Sequence, residues 1–204
     1  MVQSFARQSG LFDELAPDAN FDFSRARRID LDATSWIEHV PGWLRNSGAL
    51  FEELMTTVDF EQRDRWMYTQ RLVEPRLTAE YPEVANAPQA MLHQIASALS
   101  EEYGVTYRSL WINLYRDQRD STAWHGDVIG KVQAQSTVPV LTLGATRRFL
   151  IRPADGGPSR VLRPVSGDLI VMGGRCQRDW RHCVPKQTEP AGPRISINFA
   201  PERY

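Results

Sequence analysis

The second half of the chain is a succession of short β-type segments with no helix-length pattern between them. Six runs of five to nine residues, rich in branched and aromatic side chains, lie between residues 105 and 204 and are separated by Gly, Pro or Asp. They read YRSLWINLY, TVPVLTLG, RRFLIRP, RVLRP, DLIVMGG and RISINFAP. Strands this short and this numerous predict a two-sheet antiparallel sandwich or jelly roll.

The helical signals lie in the first half of the chain. Apolar residues recur at helical spacing over about 46–58 and predict an amphipathic helix there. Pro88 opens a second such pattern, and Gly104 is expected to end it. We expect both helices to pack on the outside of the β-rich half.

Two further segments of the first half carry weaker patterns. Residues 66–74 alternate and are rich in β-forming side chains, which predicts a strand. Because Pro75 cannot donate a ladder hydrogen bond, we expect this segment to end at Pro75 and to be either an edge strand or a loop. The first 40 residues show no clear period and are expected to wrap around the body.

Length and composition predict one α+β domain over residues 1–204. Within it, 1–104 would be a helix-containing extension with the substrate-side region, and 105–204 the jelly-roll catalytic core. The 42% hydrophobic and 24% charged residues exclude a disordered, collagenous or coiled-coil chain. No apolar run approaches the roughly 20 residues that span a bilayer, and no signal peptide is recognisable. We therefore expect a cytoplasmic monomer.

Formal charge is divided unequally between the two halves. Residues 1–104 carry −8 and residues 105–204 carry +7, although the whole chain is close to neutral at −1. Such a basic half can present a surface to a polyanion. Packing of the two halves against each other, in a chain that uses arginine for nearly all its basic residues, explains the same split without a partner.

One histidine lies two residues before an aspartate. Residues i and i+2 of an extended segment point to the same face, so His125 and Asp127 would reach one point together. His182, from a distant strand, would complete a 2-His-1-carboxylate triad that leaves positions open on Fe(II). Taken alone, the pair also fits a histidine that merely hydrogen-bonds a near neighbour.

A series of motifs occurs in a characteristic order over about two thirds of the chain. They are Glu74 to Tyr81, Asn113-Leu-Tyr115, His125-Gly-Asp127, Thr142-Leu-Gly144 with Arg148-Phe149, Gly167 to Met172, Trp180 to Pro185, and Pro193 to Phe199. With these motifs the chain resembles the AlkB family of Fe(II)/2-oxoglutarate dioxygenases, which remove alkyl groups from nucleic-acid bases. The resemblance implies a double-stranded β-helix, or jelly-roll, core.

The same resemblance assigns cofactor residues. It implies that His125, Asp127 and His182 bind Fe(II), and that Asn113, Tyr115 and Arg194 bind 2-oxoglutarate, with O2 as the oxidant. Arginine suits the far carboxylate of 2-oxoglutarate, because its planar fork can bind a carboxylate with two hydrogen bonds. Without the resemblance, the strand residues Asn113 and Tyr115 would fit ordinary roles, as a buried polar partner and a core aromatic.

Substrate residues follow from the expected partner, alkylated DNA or RNA that is single-stranded or has a flipped base. Aromatic side chains hold an unstacked base, and arginines contact phosphates. The candidates are Tyr68, Arg71, Arg76, Tyr81, Arg178 and Arg181. Trp124 adjoins His125, but alternation turns it to the opposite face, where we expect core packing.

Two positions depart from the family pattern. Ala200 stands where the family has a second arginine near the co-substrate, so either Arg203 reaches back in its place or the second contact is missing. No acid follows closely after Asp127, where repair members carry one that reads an exocyclic amine. The base preference of those members is therefore not carried over.

Three functions compete at this stage. The leading one is oxidative demethylation of N-alkylated bases in DNA or RNA repair, which releases formaldehyde, succinate and CO2. The second keeps the cofactors but acts on a small molecule or a protein. The third is a silent nucleic-acid-binding domain, which the complete set of metal ligands disfavours. A zinc hydrolase would leave Arg194 unexplained.

Overall fold

A computed structural model describes residues 21–67 and 70–201, with the backbone alone at 65–67 and 70–72. The strands in this part of the chain are β1 (Arg27–Asp30), β2 (Ser35–Val40), β3 (Glu61–Met67), β4 (Gln70–Tyr81), β5 (Ser109–Tyr115), β6 (Thr122–His125), β7 (Ser136–Gly144), β8 (Phe149–Pro153), β9 (Arg160–Leu162), β10 (Leu169–Gly174), β11 (Trp180–Val184) and β12 (Arg194–Ala200). The helices are α1 (Ser47–Thr57), α2 (Ala90–Tyr103), α3 (Ile129–Val132) and α4 (Cys176–Asp179), and a 3-10 turn spans Val84–Asn86.

The strands form two antiparallel sheets. The large sheet has eight strands in the order β1-β2-β10-β7-β12-β5-β4-β3, and the small sheet has four in the order β6-β11-β8-β9. Strands that are distant in sequence, such as β7 and β12, are therefore neighbours in space. This arrangement confirms the predicted α+β fold with a jelly-roll core.

Apolar side chains form one layer between the helices and the large sheet and a second layer that joins the two sheets. Strand β12 shows how the large sheet serves both layers, since all seven of its residues are buried. Ile195, Ile197 and Phe199 belong to the helix-side layer. Arg194, Ser196 and Asn198 alternate with them and line a narrow cavity between the sheets. A single strand thus supplies apolar packing and polar lining.

Both predicted helices are present. Helix α1 buries Leu50 and Leu54, and α2 buries Leu92, Ile95 and Leu99 on one face. Gly104 ends α2 with φ of 62°, a left-handed conformation that glycine adopts without strain. Within the described ranges, no helix is long and apolar enough to cross a membrane.

The structure corrects two predictions about the first half of the chain. Pro75 does not end a strand, because β4 continues through it to Tyr81. The pairing of β3 with β4 is irregular between Gln62 and Asp64, next to the segment that contains Pro75, so the proline interrupts no regular ladder there.

The second correction concerns residues 27–40. They do not wrap around the body but form the hairpin of β1 and β2, and β2 pairs with β10 in the large sheet. The hairpin mixes charged and apolar side chains. The hairpin therefore joins the large sheet through the pairing of β2 with β10, and no periodic pattern within residues 27–40 predicts that pairing.

Candidate metal centre and co-substrate pocket

The three predicted metal ligands meet at one edge of the small sheet. His125 ends β6 and stands directly opposite His182 of β11, and the centroids of the two rings are 4.2 Å apart. Asp127 Oδ1 lies 3.7 Å from His125 Nε2 and 3.9 Å from His182 Nε2. One ligand atom from each residue lies within 4.8 Å of the other two, which suits binding of one metal ion.

Local contacts orient these ligands. His125 Nδ1 lies 2.8 Å from the carbonyl oxygen of Ala123, which can only accept, so Nδ1 is the donor and Nε2 is the nitrogen that faces the cluster. The backbone N–H of Asp127 donates to Gln177 Oε1 at 2.8 Å. A Cβ on Gly126 would lie 2.3 Å from the carbonyl oxygen of Gln177, so this close approach requires glycine.

The electrostatics of the cluster fit a cation. Burial raises the pKa of Asp127, although His125 and Arg76 oppose the shift. Burial lowers the pKa of His182 well below its usual value, so its imidazole is neutral and able to ligate. Asp127 Oδ2 is buried and has no hydrogen-bond partner in the described part of the chain. An unsatisfied carboxylate oxygen beside two imidazoles is a donor set for a divalent metal.

A buried arginine lies in the narrow cavity next to this cluster. Arg194 is 2% exposed, and its Nη2 donates to Thr142 Oγ1 at 3.1 Å. Nε and Nη1 have no partner among the described residues. Burial lowers the pKa of Arg194, and the guanidinium carbon lies 5.2 Å from the centroid of the Tyr115 ring. A buried cation with free donors is suited to bind a carboxylate.

The other two predicted co-substrate residues line the same cavity. The Tyr115 hydroxyl lies 2.7 Å from Thr122 Oγ1. Asn113 Oδ1 accepts a hydrogen bond from Arg76 Nε at 3.0 Å, and its Nδ2 donates to Ser196 Oγ at 3.4 Å. The cavity therefore holds Asn113, Tyr115 and Arg194 together, with the amide of Asn113 already tied to an arginine.

A wider basin of about 950 Å³ opens from the metal cluster to the surface. Four predicted substrate residues line it: Arg76, Tyr81, Arg178 and Arg181. Arg71 pairs with Trp66 through its backbone in the β3–β4 hairpin, and its side chain lies outside the described part. Tyr68 lies outside the described residues, as does Arg203.

Sequence reasoning missed the acidic side of this basin. Asp64, Glu74 and Glu80 line it and come from β3 and β4 rather than from the segment after Asp127. Glu74 stands two residues before Arg76 on the same strand, and this spacing is a signal that could have identified it. Gln177 was also missed, and no local pattern marks it.

Trp124 corrects another expectation. It does lie on the face opposite His125, but it is not packed in a core. Its ring is partly exposed and carries the guanidinium of Arg152, whose Cζ lies 4.2 Å from the ring centroid. Arg152 stands opposite Arg181 across the β8–β11 ladder, so the outer face of the small sheet is basic next to the basin.

Fold and site together define a class, the jelly-roll oxygenases that hold iron with two histidines and one carboxylate. The family model described as the 2OG-Fe(II) oxygenase superfamily matches residues 40–199. The chain belongs to this family. Membership confirms the predicted class, an Fe(II)/2-oxoglutarate-dependent dioxygenase, with Fe(II), 2-oxoglutarate and O2 as cofactors.

Curated relatives agree with the resemblance to AlkB proteins. The chain is 33% identical over 181 residues to alpha-ketoglutarate-dependent dioxygenase alkB homolog 3 of Bos taurus, across 78% of this chain and 63% of the relative. It is 29% identical over 119 residues to DNA oxidative demethylase ALKBH2 of Arabidopsis thaliana, across 47% of this chain and 38% of the relative. The chain thus spans less than two thirds of the length of these relatives.

Solved structures share the fold. The structure of OsALKBH1 superposes with a TM-score of 0.60 at 12% identity and covers 87% of this chain and 100% of its own. A 2OG-Fe(II) oxygenase family oxidoreductase from Burkholderia pseudomallei superposes with a TM-score of 0.54 at 16% identity. The superposition covers 80% of this chain and 84% of the Burkholderia chain. At such identities, the likeness concerns the fold alone.

Proposed function

We propose that the chain catalyses oxidative demethylation of N-alkylated nucleic-acid bases and releases formaldehyde, succinate and CO2. The observation that carries this proposal is the position of the His-Asp-His cluster between an open basin and a buried arginine, two of whose nitrogens have no partner among the described residues. The arginine side fits a carboxylate co-substrate, and the basin side leaves room for an aromatic base. The names of relatives that are DNA oxidative demethylases support the nucleic-acid substrate.

Each residue of the site has a role in this proposal. His125, Asp127 and His182 hold Fe(II), and Arg194 binds the far carboxylate of 2-oxoglutarate. Tyr115 and Asn113 shape the co-substrate cavity around it. When bound together, Fe(II) and 2-oxoglutarate activate O2 to hydroxylate a C–H bond, and a hydroxylated N-methyl group decomposes to formaldehyde.

The basin would receive the base and its flanking phosphates. Tyr81 offers an aromatic side chain for stacking, and Arg178 and Arg181 offer guanidinium groups for phosphates. A base must leave a duplex to enter, so we propose a single-stranded or base-flipped DNA or RNA substrate. A single-domain, monomeric, cytoplasmic enzyme remains our prediction from the sequence.

The test is succinate release from a panel of N-methylated oligonucleotides of DNA and RNA, single- and double-stranded, together with the matching free nucleosides. We expect turnover on at least one methylated oligonucleotide, with equimolar formaldehyde, and none with the Asp127→Ala variant. Turnover that is faster on a free nucleoside than on every oligonucleotide would contradict the nucleic-acid assignment.

A small-molecule or protein oxygenase is the second candidate, and one observation favours it. Part of the positive charge of the basin is already neutralised, since Arg63 pairs with Glu80 and Arg76 pairs with Glu74 at 3.1 Å. A basin of mixed charge suits a zwitterionic small molecule. In this case turnover would not depend on salt, because no phosphate counterions would be released.

A further inference from the structure

The cavity beside the metal cluster contains two arginines, although the sequence assigned only one of them to the co-substrate. Among the described residues that line it, Arg76 and Arg194 are the two arginines and Asp127 is the one carboxylate. 2-Oxoglutarate carries two carboxylates, one beside its keto group and one at its far end. Two guanidinium groups in one cavity match two carboxylates in one ligand.

The two arginines lie on different sides of this cavity. Arg76 lines both the cavity and the basin, as do the metal-ligand candidates His125 and Asp127. Arg194 lines the cavity but not the basin, and its Nη2 donates to Thr142 Oγ1 at 3.1 Å. Arg76 is therefore the metal-side cation and Arg194 the far-side cation.

The contacts of Arg76 hold its guanidinium at the junction of the cavity and the basin. Its Nε donates to Asn113 Oδ1 at 3.0 Å, and its Nη2 lies 3.1 Å from Glu74 Oε2. Thr78 Oγ1 also donates to Asn113 Oδ1, at 3.3 Å. The side chain of Arg76 is 17% exposed and lines both the cavity and the basin. Its contacts with Asn113 and Glu74 therefore hold the guanidinium between these two spaces.

Position 200 offers no cation for the metal side. Ala200 is buried and lines the basin with a methyl group alone. Arg76 reaches the same region from β4, which pairs with β5 on the side opposite β12. Strand β5, which carries Asn113, thus has Ala200 of β12 on one side and Arg76 of β4 on the other. The guanidinium in this region comes from β4.

We propose that Arg76 binds the carboxylate of 2-oxoglutarate next to the keto group, and so supplies the second co-substrate cation that Ala200 cannot. This inference rests on the proposed function. It removes Arg76 from the predicted phosphate contacts and assigns it to the co-substrate. Arg194 keeps the far carboxylate.

Calorimetric titration of the Mn(II)-loaded protein tests this assignment without turnover. The ligands are 2-oxoglutarate and 2-oxopentanoate, which keeps the keto group and the adjacent carboxylate but lacks the second carboxylate. Arg76→Ala should weaken the binding of both ligands by at least tenfold, since each loses a charged hydrogen bond. Arg194→Ala should weaken the binding of 2-oxoglutarate alone.

Three controls accompany these variants. Arg28→Ala removes an exposed arginine that is also ion-paired, with Asp30, and should change neither affinity. Arg76→Gln provides a second variant, and the Mn(II) affinity of each protein verifies that the site is folded. In an Asn113→Ala background, Arg76→Ala should still weaken the binding of 2-oxopentanoate, because Arg76 touches the ligand itself.

Two results would overturn the inference. One is an unchanged affinity for 2-oxopentanoate in Arg76→Ala and Arg76→Gln with the Mn(II) affinity intact. The other is an affinity for 2-oxopentanoate that does not fall further when Arg76→Ala is added to Asn113→Ala. That result would show that Arg76 only positions Asn113. If the unaltered protein binds Mn(II) but neither keto acid, the proposed function fails, and the inference fails with it.

Discussion

Asp127, which is partly buried, and Asp168, which is buried, are two carboxylates in contrasting surroundings. Asp168 accepts hydrogen bonds from the backbone N–H groups of Gly42 and Val165, at 2.8 and 3.0 Å, and His39 Nε2 lies 2.8 Å away. Burial alone would raise the pKa of Asp168, but these partners outweigh burial and lower it. Asp127 Oδ2 has no partner among the described residues, and burial raises the pKa of Asp127.

Two buried arginines beside one aromatic ring repeat the contrast. The guanidinium carbons of Arg147 and Arg194 lie 5.9 and 5.2 Å from the Tyr115 ring centroid. Arg147 donates to three backbone carbonyl oxygens at 2.7, 2.8 and 2.9 Å and leaves only Nε without a partner in the described structure. Arg194 donates to a single hydroxyl and keeps two nitrogens without partners in the described structure.

The difference separates groups that stabilise the fold from groups that await a ligand. A buried charge with its partners in place holds loops and strands together, whereas one without them costs stability. Asp127 and Arg194 carry that cost at the same cavity. We therefore expect their substitution to affect ligand binding most, and substitution of Asp168 to affect stability most.

The largest expected effect comes from Asp127→Ala. Turnover should be abolished and metal affinity should fall by at least an order of magnitude, because a charged ligand is lost. Differential scanning fluorimetry with and without Mn(II) checks the contrast directly. The unaltered protein should gain about 2.7 kcal/mol at a metal concentration 100 times the Kd, and the variant should gain little. A variant that keeps its metal would disprove the site.

Substitution of Arg194 should have the next largest effect. Arg194→Ala should weaken 2-oxoglutarate binding by about 2–4 kcal/mol, since a carboxylate loses its charge partner in a poorly solvated cavity. Arg194→Lys should weaken it less, because a point charge replaces a bidentate fork. The 2-oxoglutarate KM of both variants is the measurement. If neither value changes, Arg194 does not bind the co-substrate.

Asp168→Asn tests the stabilising member of the pair. The amide cannot accept all the hydrogen bonds of the carboxylate, so the free energy of unfolding should fall by about 1–3 kcal/mol while metal affinity is unchanged. Because the folded pKa of Asp168 is lowered, its contribution is present above the unfolded value of 3.8 and is lost as pH falls through the folded value.

Urea unfolding across pH provides the measurement for this variant. The difference from the unaltered protein should be present at about pH 5 and should shrink below about pH 4. A difference that grows on acidification would contradict the assigned role of Asp168.

Gly126→Ala tests the backbone that brings the metal ligands together. Its Cβ would lie 2.3 Å from the carbonyl oxygen of Gln177, so the segment must shift at a cost of about 1–3 kcal/mol, with weaker metal binding. Gly48→Ala is the matched control, since nothing lies within 4 Å of its Cβ in α1. This helical site should gain about 0.5–1 kcal/mol instead. Equal thermal stability of the two variants would refute the close approach.

The smallest expected effect lies on the rim of the basin. Replacing Arg178 and Arg181 together by Ala should flatten the dependence of oligonucleotide binding on salt by about one or two units of slope, if both touch phosphates. Turnover of a free methylated nucleoside should barely change, because it has no backbone to bind. An unaltered salt slope would exclude both arginines from phosphate contact.

Local patterns predicted the elements whose signal lies within a few residues. The period of apolar residues predicted α1 and α2, and Gly104 predicted the end of α2. The spacing of His125 and Asp127, with His182 in a matching motif, predicted a cluster that the structure brings together. Such features depend on side-chain alternation and helical periodicity, which neighbouring residues determine by themselves.

The sequence by itself determined the α+β jelly roll, the helices and the types of residue in the metal and co-substrate pocket. Only the tertiary structure decided that Pro75 lies within β4, that Gln177 contacts Asp127, and that Arg76 reaches Asn113. These outcomes depend on which strands and helices become neighbours in space. Sheet order joins residues that are far apart along the chain, so no local period encodes it.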